Sequence, residues 1–466
     1  MPVSTPGGRI THLEQLLRAG NLEAARDQVR QILHRASDLV EALNNIGVAH
    51  KRANRMEEAA GYYRHALTLS PTRASTLSNL ALVLKAQGHL SEAEACCRLA
   101  IFNDKNIRSA QYNLGIILKM QGRFDEAGAV FSAVLGNDPT DADAEFDLAL
   151  IELLLGDFEA GWHHYEARFN PKLATVQKMA LPQLPVPRWA GGDPAGLRLL
   201  LLHEQGFGDQ IQFCRYANDL QRMGARVTLL VKPELVALLG SLAGAEAVLS
   251  PASVVDWQQF DAWVPMMSVP GVLGLRLDNM PQAAPYLAAA PDKLRYWQAW
   301  PAETGKPAGA MKIGLVWGGS PTHARDGKRS LALADLQLLL AMPQPVQGLR
   351  FISLQKGPRA AELQALPEAS RPFDAGAGLV DFADTAALLS TLDLLITVDT
   401  SVAHLAGAIG CPVWVLLPFV PDWRWLTARS DSPWYAGMRL FRQPDRRGWR
   451  ACVAEVAAAL QATATP

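Results

Sequence analysis

Across residues 7–166 the apolar positions recur with helical spacing, and the pattern itself returns every 34 residues. Gly20, Gly88, Gly122 and Gly156 stand on this grid, with Asn54 filling the remaining slot. Five residues further on come Ala25, Ala59, Ala93 and Ala127, then Gly161 in the last slot. Tyr63, Cys97 and Phe131 form a column of larger residues, Gly47 and Gly115 lie two periods apart, and Pro71 and Pro139 mark the end of a repeat. Glycine or asparagine supplies a tight turn between two helices, a small residue lets the pair approach, and a larger one fills the groove between pairs. The expected element is a stack of helix hairpins.

From Asn170 to Gly196 the helical period fails, and Pro171, Pro182, Pro185, Pro187, Gly191, Gly192 and Pro194 mark a connector. A different pattern follows. Leu197–His203 is a continuous apolar run suited to a buried parallel strand, Glu204–Asp209 a turn, Gln210–Met223 a helix closed by Gly224, and Val227–Val231 the next strand. A segment rich in Pro, Trp and Ala, Pro281–Gly309, precedes further strands at Lys312–Trp317, Phe351–Leu354, Leu394–Val398 and Val413–Leu417. Such alternation predicts two doubly wound, Rossmann-like units with a ligand cleft between the carboxyl ends of their strands. The expected domains are 1–169 (helical repeats), 170–196 (linker), 197–309 and 310–466. A chain starting near Asn170 is expected to fold alone, apart from any apolar face that Trp162 and Tyr165 lend to the junction.

Composition narrows the partners. The 466 residues are 49% hydrophobic and 19% charged, and 44 Lys plus Arg balance 45 Asp plus Glu. A net charge of −1 gives no electrostatic reason to expect nucleic acid. Cys96, Cys97, Cys214, Cys411 and Cys452 are scattered, without C-x-x-C spacing, which argues against a disulfide framework or structural zinc and suits a reducing compartment. His203 and His404 have no partner at metal-ligand spacing, so no metal is expected. Met1–Gly8 lacks a basic region followed by an apolar stretch, and no run approaches the roughly 18 apolar residues of a membrane span. These features predict a cytoplasmic protein.

The chemistry-bearing residues cluster at predicted strand ends. Leu394–Val398 passes through Asp399-Thr400-Ser401 into a helix of small residues that includes His404. Free N–H groups at that helix start suit a pyrophosphate, and Asp399 suits sugar hydroxyls; an ordinary capped helix explains the same residues. Trp317-Gly318-Gly319-Ser320 is a second strand-to-glycine turn, followed by the basic cluster His323-Ala324-Arg325-Asp326-Gly327-Lys328-Arg329-Ser330, either a leaving-group clamp or a solvated loop. Gln355, after the strand ending at Leu354, is placed to meet a nucleobase or to form a plain turn. In the other unit Gln205, Gly206 and Gly208 permit close approach of an acceptor, and Asp209 is either a helix cap or the general base for its hydroxyl. The third glycine of a dinucleotide fingerprint is replaced by Ile211. Trp423, Trp425, Trp434 and Tyr435 read as packing anchors, with stacking on a base or sugar as the alternative.

In period and columns the first third resembles the tetratricopeptide repeat, although Leu43 and Leu77 hold the usual tryptophan slot. Glu204–Asp209, the Lys328-Arg329 loop and Asp399–His404 resemble the corresponding motifs of family-nine glycosyltransferases, the lipopolysaccharide heptosyltransferases, which use the two-Rossmann GT-B fold. The layout is similar to bacterial repeat-fused glycosyltransferases, flagellin glycosyltransferases among them, and to O-GlcNAc transferase. This resemblance implies an N-terminal repeat solenoid followed by GT-B, and a metal-independent, inverting transfer from a nucleotide-sugar co-substrate with no other cofactor. Asp209 inherits the base role, Lys328 the phosphate contact, and Asp399 with Thr400 the donor contacts. Ser401 stands where the family usually has glycine. The acceptor implied is a protein, such as flagellin, held by the repeats; a lipopolysaccharide core sugar and a scaffold with a decayed cleft are the alternatives.

Overall fold

Paired helices account for the 34-residue grid. The structure, a computed structural model, describes residues 15–16, 19, 21–175, 178–281, 284–300, 311–323, 326–341 and 349–464. Gly20, Ala324, Arg325, the N-terminal Met1–Gly8 and parts of Pro281–Gly309 lie outside the described residues. The chain divides into two compact units between Ala144 and Glu145, earlier than the boundary after residue 169 expected from the repeat columns.

The first unit carries α1 (Leu22–Arg52), α2 (Met56–Leu69), α3 (Ala74–Ala86), α4 (Leu90–Asn103), α5 (Arg108–Met120) and α6 (Phe124–Asn137). Asn54, Gly88 and Gly122 make the turns within pairs at φ of 58°, 84° and 79°, the left-handed region the grid anticipated. Ala59, Ala93 and Ala127 are wholly buried. A Cβ on Gly47 would lie 2.5 Å from the Tyr63 ring, and one on Gly115 2.6 Å from that of Phe131, so each glycine makes room for the aromatic residue of the next helix. The repeat between them distributes the volume differently, with Ala81 in the glycine column and Cys97 in the aromatic one, both fully buried. α1 runs on for 31 residues through a point where the 34-residue grid places a turn, with Ser37 in the slot of Pro71 and Pro139.

The division falls within α7 (Ala142–Leu155). The second unit continues with α8 (Phe158–Tyr165), capped by Asp157, and a 3-10 turn at Glu166–Phe169. β1 (Arg198–Leu202), α9 (Phe207–Phe213), α10 (Tyr216–Arg222), β2 (Arg226–Leu230), β3 (Ala247–Leu249) and β4 (Ala262–Pro265) follow. The single helix expected over Gln210–Met223 is two, interrupted at Cys214-Arg215, where buried Arg215 donates to the Trp434 carbonyl at 2.8 Å. Part of the expected linker is sheet-bound: Trp189 N–H donates to Trp263 and Trp263 N–H to Pro187, at 2.8 and 3.0 Å, alongside β4.

The second sheet comprises β5 (Met311–Val316), β6 (Leu349–Ser353), β7 (Phe373–Asp374), β8 (Leu394–Val398), β9 (Val413–Leu417) and β10 (Met438–Arg442), with α11 (Phe382–Leu389), α12 (Ser401–Ile409) and α13 (Arg450–Ala464). Every strand pairing in both sheets is parallel. The first sheet has order β3-β2-β1-β4 and the second β10-β9-β8-β5-β6-β7. Each therefore starts at an interior strand, winds to one edge, and returns on the other side of that strand. Ile313, Leu315, Leu394, Ile396 and Val398 are buried beneath Val453, Val456 and Leu460 of α13. The reversal leaves a crevice at the carboxyl ends of β1 and β4, and another at those of β5 and β8, where open α/β sheets take their ligands.

Candidate functional site

The motifs singled out at strand ends occupy these two reversals. At the first, Gln205 has a left-handed backbone with φ of 53°, which a side chain tolerates only when its surroundings fix it. They do so here, since Lys232 Nζ donates to the Gln205 carbonyl and the Gln205 amide donates to the Tyr165 hydroxyl, both at 2.8 Å. Glu204 is buried and points away from the chemistry: it accepts from Arg168 Nε at 2.8 Å and from the Met267 N–H at 2.9 Å. Arg168, itself fully buried, also donates to Ser268 Oγ at 2.6 Å, to Glu166 at 2.8 Å and to the Tyr165 carbonyl at 3.0 Å. Sequence reading missed Arg168 and Lys232, because a lone cation in a helix or after a strand looks solvated until its partner is known.

Asp209 closes the start of α9 by accepting the Gly206 N–H at 2.8 Å. Its other oxygen accepts at 2.5 Å from Nη2 of Arg424, a residue of the 3-10 turn between β9 and β10 that is absent from the expected set. α9 packs directly on α12: a Cβ on Gly208 would sit 2.9 Å from His404 Cδ2 and 3.4 Å from Ser401 Cα, so glycine is required by this approach of two helix starts. The structure thus brings Gly206, Gly208 and Asp209 together with Ser401 and His404.

At the second reversal Thr400 is the N-cap of α12, with extended backbone and no side-chain hydrogen bond to the first turn. Its hydroxyl lies 3.4 Å from that of Thr397. Asp399 is half-buried, and burial, reinforced by the nearby Asp422 carboxylate, raises its pKa, with Arg329 and Arg424 opposing. His404 is buried against Trp425, with rings 5.3 Å apart, and its Nδ1 lies 3.0 Å from the Tyr435 hydroxyl. Burial, then Arg424, pushes its pKa down to about 3, so the imidazole is neutral near pH 7.

The glycine turn after β5 is braced from within. Gln355 accepts the N–H groups of Trp317 and Gly318 at 3.0 and 2.9 Å and donates to the carbonyls of Gly318 and Lys356 at 3.1 and 2.9 Å. Buried and spent in this way, Gln355 shapes the loop instead of presenting an amide to a nucleobase. Ser330 Oγ accepts the Gly319 N–H and donates to Asp326, completing the brace. Arg329 lies against Gly319, with Nη2 2.6 Å from where a Cβ would be, and its buried Nε has no acceptor. Lys328 is exposed, and exposed Ser320 pairs with Thr322 at 2.8 Å. Trp423, Trp425, Trp434 and Tyr435 are all buried as packing residues. Among the described residues no group of three or more His, Cys, Asp or Glu is placed to hold a metal ion, and no helix is long and apolar enough to cross a membrane.

Comparison with known proteins agrees with the helical part. Residues 14–74, 78–142 and 121–161 match the tetratricopeptide repeat family. The first third is a tetratricopeptide repeat array. The curated Protein FlbA of Caulobacter vibrioides is 27% identical over 321 residues, which cover 65% of this chain and 52% of that protein, so the chain spans about half the length of the curated relative it matches. Solved structures similar to the array include the Arabidopsis OM64 repeat domain (22% identity, TM-score 0.24), covering 25% of this chain and 96% of that one. The first repeat domain of Spaghetti, bound to an HSP90 peptide, has 21% identity, a TM-score of 0.25 and coverages of 25% and 94%. YrrB, a repeat protein with an unusual peptide-binding site, has 22% identity, a TM-score of 0.26 and coverages of 35% and 84%.

Proposed function

We propose that the two sheets form a GT-B glycosyltransferase that moves a sugar from a nucleotide-sugar donor to a hydroxyl of a protein held by the tetratricopeptide repeats. One observation supports this reading: the reversal points of two parallel sheets meet through Gly208 and Ser401–His404, so the segment carrying the Asp209 carboxylate packs on a helix start that has no side-chain cap. The α12 start, Arg329 and Lys328 would stabilise the departing diphosphate without metal. Asp209 would take the proton of the acceptor hydroxyl as its oxygen forms the bond to the anomeric carbon. The anomeric carbon–oxygen bond to phosphate breaks as that new bond forms, and its electron pair leaves with the nucleotide. Attack from the face opposite the leaving group inverts the anomeric centre. Asp399, whose pKa is raised by burial and Asp422, would accept hydrogen bonds from donor-sugar hydroxyls when ionised.

Screening uridine, guanosine, adenosine, cytidine and thymidine diphosphate sugars by thermal shift tests the reading. A true donor at about 100 times its Kd adds roughly 2.7 kcal/mol, and Asp209→Asn should cut transfer about 10²–10⁴-fold. Absence of any stabilising nucleotide sugar, with protein binding by the repeats intact, would instead establish a scaffold.

A further inference from the structure

The carboxylate assigned as base is already engaged. Arg424 Nη2 lies 2.5 Å from Asp209, Nε 2.6 Å from Gln212 Oε1 on α9, and Nη1 2.8 Å from Asp422 on its own sheet. This guanidinium is therefore clamped between two carboxylates, one on α9 and one in the turn between β9 and β10, with its face 4.2 Å from the Trp423 ring centroid. Only 8% of the Arg424 side chain and 18% of that of Asp209 is exposed, so water screens the pair weakly. Arg424 also acts on Asp399 and His404 across the site, as does Arg329, whose buried Nε makes no hydrogen bond and has its Asp326 counter-charge 3.9 Å away. The crevice thus holds one guanidinium clamped by two carboxylates and another whose buried Nε meets a carboxylate, that of Asp326, at 3.9 Å without a hydrogen bond.

A diphosphate changes that balance. Its oxygens take planar, bidentate hydrogen bonds from guanidinium groups better than a single carboxylate oxygen does, and its charge exceeds that of Asp209. Resting on the glycosyltransferase reading, we propose that Arg424 is a partner-exchanging positioning residue. Without donor it holds Asp209; a donor diphosphate entering between Arg329 and Arg424 takes over the guanidinium and releases the Asp209 carboxylate to the acceptor hydroxyl. Donor binding is then the event that arms the base, and the pair links donor occupancy on one sheet to proton acceptance on the other.

The opposing signs of two variants test this. Uridine, guanosine, adenosine, cytidine and thymidine diphosphates are titrated calorimetrically into the full chain, with the matching nucleosides as uncharged controls. Asp209→Asn removes the competing charge and should tighten diphosphate binding about 3–10-fold, whereas Arg424→Lys should weaken it about tenfold or more. Nucleoside affinity should not move in either variant, and Arg424→Lys should abolish the gain from Asp209→Asn. Asp209→Ser provides a second neutral replacement should the asparagine chain not fold. Unchanged or weaker diphosphate binding in a folded neutral variant overturns the exchange and leaves the glycosyltransferase reading standing. Failure of all five diphosphates and their sugars to bind the unaltered chain overturns both.

Discussion

The two sheets share one winding plan but complete their crevices by different means. In the second, the loop after β5 is held by its own half: Gln355 ties the turn at Trp317-Gly318, and Asp326 with Ser330 ties Gly319. In the first, the loops after β1 and β4 are held from outside the sheet, because Glu204, Gln205 and Ser268 bind Arg168 and Tyr165 from the end of the helical region. Aromatic packing repeats the lesson, with Trp162 of α8 meeting Phe213 edge-on at 6.2 Å and Trp423 at 5.3 Å. One sheet carries its site ready-made; the other borrows its last wall from preceding helices. These contacts tie Trp162, Tyr165 and Arg168 to the sheets, within the compact unit that starts at Glu145.

The largest expected effect comes from breaking the borrowed wall. Arg168→Met leaves Glu204 buried without its cation and should cost about 3–5 kcal/mol, read by urea unfolding. A chain starting at Asn170 should fail to fold, while one starting at Asp138 keeps α7, α8 and the 3-10 turn and should unfold cooperatively. Cooperative unfolding of the Asn170 chain with the full chain's midpoint would show that the first sheet needs no help.

The equivalent cut in the self-contained sheet is milder. Gln355→Ala strands the N–H groups of Trp317 and Gly318 and should cost about 2–3 kcal/mol. If the donor site is where proposed, it should also weaken nucleotide-sugar binding without altering the first sheet's hydrogen exchange. A loss below 0.5 kcal/mol, by the scale of ordinary surface substitutions, would mean that water replaces the amide.

How much of this was legible in the sequence follows from the range of each interaction. The repeat grid was readable because a hairpin's partners lie within one period, as Gly47 with Tyr63 and Gly115 with Phe131 show. β8 and β9 were readable as uninterrupted buried runs, Leu394–Val398 and Val413–Leu417. β4 escaped because Ala262–Pro265 is four residues ending in proline, and β7 because it is only Phe373-Asp374. The loops of the candidate site were found from glycines and carboxylates at strand ends. Their partners were not: Arg168 lies 36 residues from Glu204 and Arg424 lies 215 from Asp209, separations over which composition and spacing carry no signal. Gln355 was located with two tasks left open, a nucleobase contact or a turn, and only the fold shows that its amide faces the backbone groups of the turn.

His404, where the two crevices touch, ties the comparison to pH. Its pKa falls from about 6.5 in the unfolded chain to about 3 in the fold, so the unfolded chain binds a proton that the fold refuses. Stability from this group is complete above pH 6.5 and is lost as pH falls toward 3, by about 1.4 kcal/mol per unit. Asp399, shifted upward, works with the opposite sign, so the useful measurement is a difference. Between pH 6.5 and 5, His404→Gln should lose less stability than the unaltered chain. Parallel pH profiles would mean that the imidazole takes up its proton in the folded state.

The smallest effect is the sharpest test of where the second unit begins. Asp157 caps α8 by accepting the Ala160 N–H at 3.2 Å, and α8 carries the Trp162 and Tyr165 that finish the first crevice. Asp157→Ala should cost about 1 kcal/mol, the usual value of an N-cap. If α8 belongs with the sheets, that loss is shared by their cooperative unit and lowers amide protection along β1 and β4, with the helices before Ala144 unchanged. If α8 belongs with the repeats, protection falls in α5 and α6 and the strands keep theirs. Native-state hydrogen exchange separates the two patterns even at this size, because each unit reports its own opening free energy. Loss confined to α5 and α6 would return the boundary to the position expected from the repeat columns.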